Sequence, residues 1–240
     1  MSTVFLTAEW NHLIMANYEI DAAVLQPYLP AFTELDYFDG KAYVSLVGFL
    51  FEKIKIKGIS IPFHTHFPEV NLRLYVKHTK AGGAVQRGVV FISEIVPKPA
   101  IAWVANNIYR EKYAATKMSY STRSSPGALH FSYGWQWKQQ WNVIAASVED
   151  KASPIVQGTK EAFIFEHYYG FARVNDKITN QYTVEHPVWN IYPVTSFQIN
   201  CDFAKQYGQD FSLLNNAAPA SVFVAEGSAV RIKEKMVLKA

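Results

Sequence analysis

The sequence predicts a mainly β, α+β protein. Half of its residues are apolar, 15% are aromatic and only 18% are charged, a balance that suits a packed β-rich core and argues against disorder. Apolar and polar residues alternate with the period of two that a half-buried strand requires, and helical spacing is confined to three short segments. A chain of 240 residues can bury roughly 70–75% of its unfolded surface, and all-β domains reach this size undivided. One domain over residues 1–240, ordered nearly end to end, is therefore expected.

The elements follow in order. Asp21 is placed to cap a short helix through Tyr28, since its carboxylate can accept from the free first-turn amides, and Pro30 ends it. Thr33–Phe38 and Lys41–Phe51 flank Asp39-Gly40, a dipeptide that supplies the positive φ angles of a tight hairpin turn. Phe67–Val76 is a strand, and a second hairpin pairs Val70–His78 with Gly88–Ile95 across the loop Thr79–Arg87. Pro99 opens a helix to about Tyr109, with Ile101, Val104, Ala105 and Ile108 at helical spacing. Leu129, Phe131, Tyr133, Trp135 and Trp137 alternate with polar residues on a strand with one aromatic face. Phe163–Tyr169, Thr183–Trp189 and Ser228–Leu238 read as strands, and Asp202–Tyr207 as a third short helix.

Composition narrows the classes of function. A formal net charge of +3 is too small to suggest a nucleic-acid partner. Met1–Gly40 holds no Lys or Arg, so a basic leader is not expected. The longest apolar run, Tyr43–Phe51, is far shorter than a membrane span of roughly 20 residues. Cys201 is the lone cysteine, which removes an internal disulfide and a thiolate metal cluster. A cytoplasmic location without membrane attachment is the expectation. A homo-oligomer remains compatible with the sequence.

The candidate chemistry centres on Phe67–Val76, where Glu69, Asn71, Arg73 and Tyr75 share one face and Val70, Leu72, Leu74 and Val76 the other. The polar face is either solvated or the wall of a cavity. Alternation alone favours solvent; Asn71, Tyr75 and a glutamate and arginine that can bind each other or clasp a ligand carboxylate shift the balance toward the cavity. His64 and His66 with Glu69 would give three metal ligands but no convincing fourth, so no metal is assigned. Lys53, Lys55 and Lys57, and Arg231, Lys233 and Lys235, alternate with apolar or acidic residues as solvated strands whose charges discourage edge pairing. An acidic partner for them is the functional alternative. Trp135, Trp137 and Trp141 could stack a ring but suit a core better. There is no phosphate loop, no G-x-S-x-G and no indicated cofactor.

Several stretches resemble the YqjF-like group of uncharacterised bacterial proteins in the acetoacetate-decarboxylase-like superfamily. They are Trp10–Asn17, Leu25-Gln-Pro-Tyr-Leu-Pro30, Glu34-Leu35-Asp36, Asp39–Val47, Glu69-Val-Asn-Leu-Arg-Leu-Tyr-Val76, Gly88–Ser93 and His186-Pro-Val-Trp189. The resemblance implies a bent antiparallel sheet closed into a barrel-like cone around a cavity, with a few outer helices, and it places Glu69 facing inward. In the decarboxylases of this superfamily a lysine forms a Schiff base with a keto acid, and desolvation or a neighbouring cation keeps it neutral enough to attack. One register puts Tyr113 at that position, beside Lys112; a rival register puts Lys117 there. The first keeps Met118 and Ser119-Tyr120 in step with the nearer group, and tyrosine forms no imine.

These readings lead to a protein that binds a small organic, acid-like molecule through Glu69, Asn71, Arg73, Tyr75 and Tyr113. The alternative is a Schiff-base decarboxylase, aldolase or dehydratase acting through Lys117 or, less favoured, Lys112. A third class is an interaction module using the basic strands.

Overall fold

A computed structural model describes residues 3–239. Its main sheet has twelve strands, and seven of them close a ring. In spatial order these are Ser221–Lys233, Val4–Ile20, Ala42–Ile56, Phe67–Thr79, Val85–Val96, Tyr169–Asn175 and Ile178–Glu185. The ring closes where Val184 and Glu185 pair with Ile232 and Arg231. The expected barrel-like closure is present, but the sheet is mixed: Tyr169–Asn175 and Tyr113–Ala115 both run parallel to Val85–Val96.

A second sheet, ordered Val194–Asn200, Gln140–Glu149, Ala128–Trp137 and Met118–Ser125, packs on the outside of the ring. The aromatic alternation does this work. Phe131, Tyr133 and Trp135 are buried and join Ile14, Leu46 and Leu72 in one core layer, while Trp141 stays exposed. A second apolar cluster, including Val47, Phe49, Phe51, Phe67 and Phe163, lies on the ring's inner side. Each strand between the two layers is therefore covered on both faces.

The helices at Ala22–Leu25 and Phe203–Tyr207 begin as expected, with Asp21 and Asp202 accepting from the backbone amides of Ala23 and Lys205. Pro99–Val104 is α-helical and continues as a π-turn over Ala105–Tyr109. The hairpin between Phe67–Thr79 and Val85–Val96 has the expected pairing, from Val70↔Ile95 to Thr79↔Val85, so its loop is shorter than Thr79–Arg87.

Four strand readings are corrected. Phe163–Tyr169 does not begin as a strand: Lys160–Phe165 is a helix, because Gly158 turns the chain with φ +81° and the Thr159 hydroxyl caps the amide of Ala162. Within Thr33–Phe38 only Glu34–Leu35 is a strand, and it pairs with Val76 and Lys77. The Asp39-Gly40 turn itself forms, closed by hydrogen bonds between Phe38 and Lys41 with φ of 49° and 75° at its two residues. Thr183–Trp189 loses strand structure after Glu185, ahead of His186-Pro187. The last strand starts earlier, at Ser221, and breaks after Lys233 before Met236–Lys239.

Gly227 shows how tightly the ring is drawn. It has φ +89°, and a Cβ there would stand 1.8 Å from the Trp10 carbonyl oxygen. Gly227→Ala is expected to cost about 3 kcal/mol or more from the combined strain and overlap. Urea unfolding with an unchanged slope would read this as lost stability; a variant as stable as the parent would disprove the close approach.

No helix among the described residues is long and apolar enough to cross a membrane.

Candidate ligand-binding cavity

The strand Phe67–Thr79 carries its polar row into the ring. Glu69 and Asn71 are each 2% exposed and Tyr75 1%, while Arg73 is partly buried. The alternation is preserved, but both faces are buried, so this row is not a solvated surface.

Two adjoining cavities of about 110 Å³ and about 70 Å³ lie within the ring. Together they have room for on the order of ten non-hydrogen atoms, at roughly 10–15 Å³ for each water-sized group. The larger is apolar, walled by Phe5, Ile54, Phe67, Ile101 and Val104 among others. The smaller is lined by Asn71, Arg73, His167 and His186 between aromatic residues such as Trp10 and Trp189. Glu69, Glu94, Tyr113 and Tyr182 line both.

This shared wall is a cluster of carboxyls and phenols. Glu69 accepts from Asn71 Nδ2 at 2.9 Å and from the Tyr113 hydroxyl at 3.0 Å. Glu111, on the wall of the larger cavity, accepts from the Tyr182 hydroxyl at 2.8 Å. Glu94 Oε2 has no protein partner. Burial is the first cause that pushes all three carboxyls upward, Glu69 and Glu111 to about 7 and Glu94 well above its ordinary value. Repulsion from Glu111 adds to the rise at Glu69 and, with Glu69, at Glu94. The Tyr113 and Tyr182 phenols are also held well above their usual range by burial and the neighbouring carboxyls. At neutral pH the cluster thus retains protons and can donate hydrogen bonds as well as accept them.

Arg73 is the cation of the smaller cavity. Its Nη2 donates to the Ile164 carbonyl at 3.2 Å and contacts Met15 Sδ at 3.7 Å, and its guanidinium lies 5.4 Å from the Tyr75 ring centre. No carboxylate pairs with it among the described residues, and its Nε has no partner. Of the two possibilities for Glu69 and Arg73, direct pairing is not the one adopted. Tyr75 lines neither cavity; its hydroxyl meets Ser45 Oγ at 2.6 Å in a buried network with Asn17.

Neither candidate lysine enters. Glu111 and Tyr113 point inward on an extended segment, so Lys112 between them points outward. Its Nζ lies 5.6 Å from the Tyr28 ring, and partial burial, then Arg173, draw its pKa down. Lys117 is exposed, and no lysine lines either cavity. His66 lies near the surface between Glu52 and the Tyr120 hydroxyl, His64 bonds the Pro62 carbonyl, and no group of three metal-binding side chains occurs among the described residues. Three of the six basic residues of these strands are paired with acids: Lys53 with Glu9, Lys57 with Glu234 and Lys233 with Glu185.

A family model for uncharacterized conserved proteins, DUF2071, matches residues 7–229. The chain belongs to the DUF2071 family. A curated relative of this DUF2071 chain, the uncharacterized protein YqjF of Bacillus subtilis, is 33% identical over 70 residues, covering 29% of each protein. That match reaches less than a third of the relative's length. Among solved structures, the acetoacetate decarboxylase of Legionella pneumophila aligns with a TM-score of 0.67 at 12% identity, over 98% of this chain and 88% of its own. The enduracididine biosynthesis enzyme MppR, complexed with the condensation product of pyruvate and imidazole 4-carboxaldehyde, aligns at 0.70 and 12% identity over 100% and 91%. An acetoacetate decarboxylase-like enzyme from Sphingomonas wittichii aligns at 0.68 and 10% over 98% and 94%. At these identities the likeness shows the fold: DUF2071 here has the acetoacetate-decarboxylase-like architecture.

Sequence reasoning missed Glu94, Glu111, Tyr182 and His167. Glu94 had a readable signal, as the one acidic residue in the apolar run Val89–Val96. A bulge also shifts the alternation there, with Leu72 opposite Ser93 but Arg73 opposite Phe91. Glu111 sits in Arg110-Glu111-Lys112, which reads as an exposed turn, and His167 follows the helix Lys160–Phe165 in a stretch whose sequence reads as a strand.

Proposed function

We propose that the DUF2071 cavity binds a small organic acid, its carboxylate held at Arg73 and its remaining oxygen atoms hydrogen-bonded by the Glu69, Glu94 and Tyr113 cluster. The observation that carries this reading is the state of Arg73: a cation on the cavity wall with an unpartnered Nε and no carboxylate beside it, in a site that holds three carboxyls elsewhere. Burying a charge without a counter-ion is costly, and an anionic ligand offsets that cost with bidentate geometry. Among the described residues, five of the nine buried side-chain atoms without a protein partner belong to residues that line the smaller cavity: Trp10 Nε1, Asn71 Oδ1, Arg73 Nε, Glu94 Oε2 and His167 Nδ1. Each such atom costs about 1–3 kcal/mol unless something satisfies it.

The size of the site suits an acid of roughly six to ten non-hydrogen atoms. MppR is described in complex with pyruvate, a ligand of this size and charge, on the same fold. The imine route finds no support in the geometry, because Lys112 and Lys117 both lie outside.

Thermal stabilisation by a panel of two- to five-carbon acids tests the reading. Some member is expected to raise the melting temperature, and Arg73→Ala to weaken its binding at least about tenfold, the weight of one charge-assisted contact. A panel without effect, or a bound acid indifferent to Arg73→Ala, would overturn it.

A further inference from the structure

The Arg73 end of the cavity holds a second group whose chemistry is fixed by its surroundings. His167 is fully buried in its side chain, packed between the rings of Tyr75 and Phe163 at 4.8 Å and 5.1 Å. Its Nε2 lies 3.1 Å from Asp36 Oδ2, the same oxygen that accepts from Arg87 Nε at 2.6 Å. Asp36 thus has its counter-ion in Arg87, and its carboxylate oxygen can only accept. The proton of His167 must therefore stand on Nε2. Burial, with Arg87 and Arg73 adding to it against the pull of Asp36, drives the imidazole down to about 4, so the ring is neutral. A neutral ring protonated on Nε2 leaves Nδ1 as a bare acceptor. That atom has no protein partner, and the residue lines the smaller cavity with Arg73.

The two unpartnered atoms ask for opposite things: Arg73 Nε needs an acceptor and His167 Nδ1 needs a donor. A carboxylate alone serves the first and leaves the second unpaired. A 2-oxo acid does the same and turns a second lone pair toward the cavity wall. A 2-hydroxy acid offers both, as carboxylate oxygens and a neighbouring hydroxyl proton.

We propose that Arg73 and His167 form a subsite selective for small 2-hydroxy acids, with Nδ1 of His167 accepting the hydrogen bond of the substrate hydroxyl. The subsite rests on the acid-binding reading above and adds to it the class of acid. Asp36 is its positioning residue, since it fixes which nitrogen carries the proton.

Titration calorimetry on the whole protein with matched acids provides the test: lactate in both hands, pyruvate and propionate. Wild-type protein is expected to bind one lactate enantiomer at least about tenfold more tightly than pyruvate or propionate, because those leave a buried acceptor unpaired. His167→Gln keeps an amide donor where Nε2 meets Asp36 but removes the Nδ1 acceptor. It should abolish the lactate preference, bringing lactate and propionate affinities to within about twofold of each other. His167→Asn, whose amide oxygen can take the Nδ1 position, should restore part of the preference. Circular dichroism melting of both variants separates selectivity from unfolding. Acids that bind without discrimination, or a lactate preference that survives His167→Gln, would overturn the subsite and leave the acid-binding reading standing. An absence of binding by every acid in the wider panel would overturn both.

Discussion

Glu94→Gln is expected to raise the unfolding free energy by about 1–3 kcal/mol at about pH 8 and to change it little at about pH 4. The folded carboxyl is pushed well above its ordinary value, first by burial and then by Glu111 and Glu69. Between the unfolded value of about 4.3 and the raised folded value, the folded chain keeps a proton that the unfolded chain has released. Stability therefore falls as pH rises through that interval, and the loss is complete once the folded carboxyl ionises. Glutamine has the same shape and cannot ionise, so it removes the loss only where the loss exists. Glu69 and Glu111, both raised to about 7, place much of the slope between about 4.3 and about 7. Glu69→Gln should gain less than Glu94→Gln, because Asn71 and Tyr113 donate to the Glu69 carboxylate and favour its charged form, whereas Glu94 Oε2 has no partner. Urea unfolding at the two pH values decides it. An equal effect of Glu94→Gln at both would show that the carboxyl is not held protonated by the fold.

The parts of this architecture that were legible are those where local chemistry and the final environment agree. Asp21 and Asp202 cap helices because the first-turn amides need an acceptor wherever the helix packs. The alternation from Leu129 to Trp137 found its strand, and its aromatic face found the core. The polar row of Phe67–Thr79 was legible as a row, but its burial was not, since period two says which residues share a face and nothing about what covers that face. The resemblance to a cavity-bearing family supplied what the pattern lacked. Phe163 to Phe165 shows the opposite failure: a run of apolar residues buried on every side loses its period, and the Thr159 cap then outweighs β propensity. Glu94 escaped because a bulge breaks the alternation that would have aimed it inward. Glu111 escaped because flanking charges disguise a buried carboxyl as a surface turn. The site is built from at least five segments meeting inside a ring, and no local rule encodes that meeting.

Asp36 titrates with the opposite sign. Burial pushes its carboxyl up, but hydrogen bonds from His167 and Arg87 and the Arg87 charge outweigh it, so the folded pKa lies below the ordinary value. Asp36 therefore contributes stability above its unfolded pKa of about 3.9, and that contribution is lost as pH falls through the lower folded value. Asp36→Ala is expected to cost about 2–4 kcal/mol at neutral pH, somewhat less than a fully buried pair because the Arg87 side chain is about a third exposed. The substitution leaves Arg87 over the Phe163 ring without its counter-charge and His167 Nε2 without its acceptor. Arg87→Ala added to Asp36→Ala should recover part of the loss by removing the stranded cation. Fully additive costs would mean that the two residues do not form one unit. Because the Glu69, Glu94 and Glu111 cluster weakens the fold as pH rises above about 4.3 and Asp36 weakens it as pH falls below about 3.9, the contribution of these four groups together is greatest near about pH 4. In the Asp36→Ala protein the acid limb should flatten while the alkaline limb keeps its slope, since the carboxyl cluster is untouched by the change.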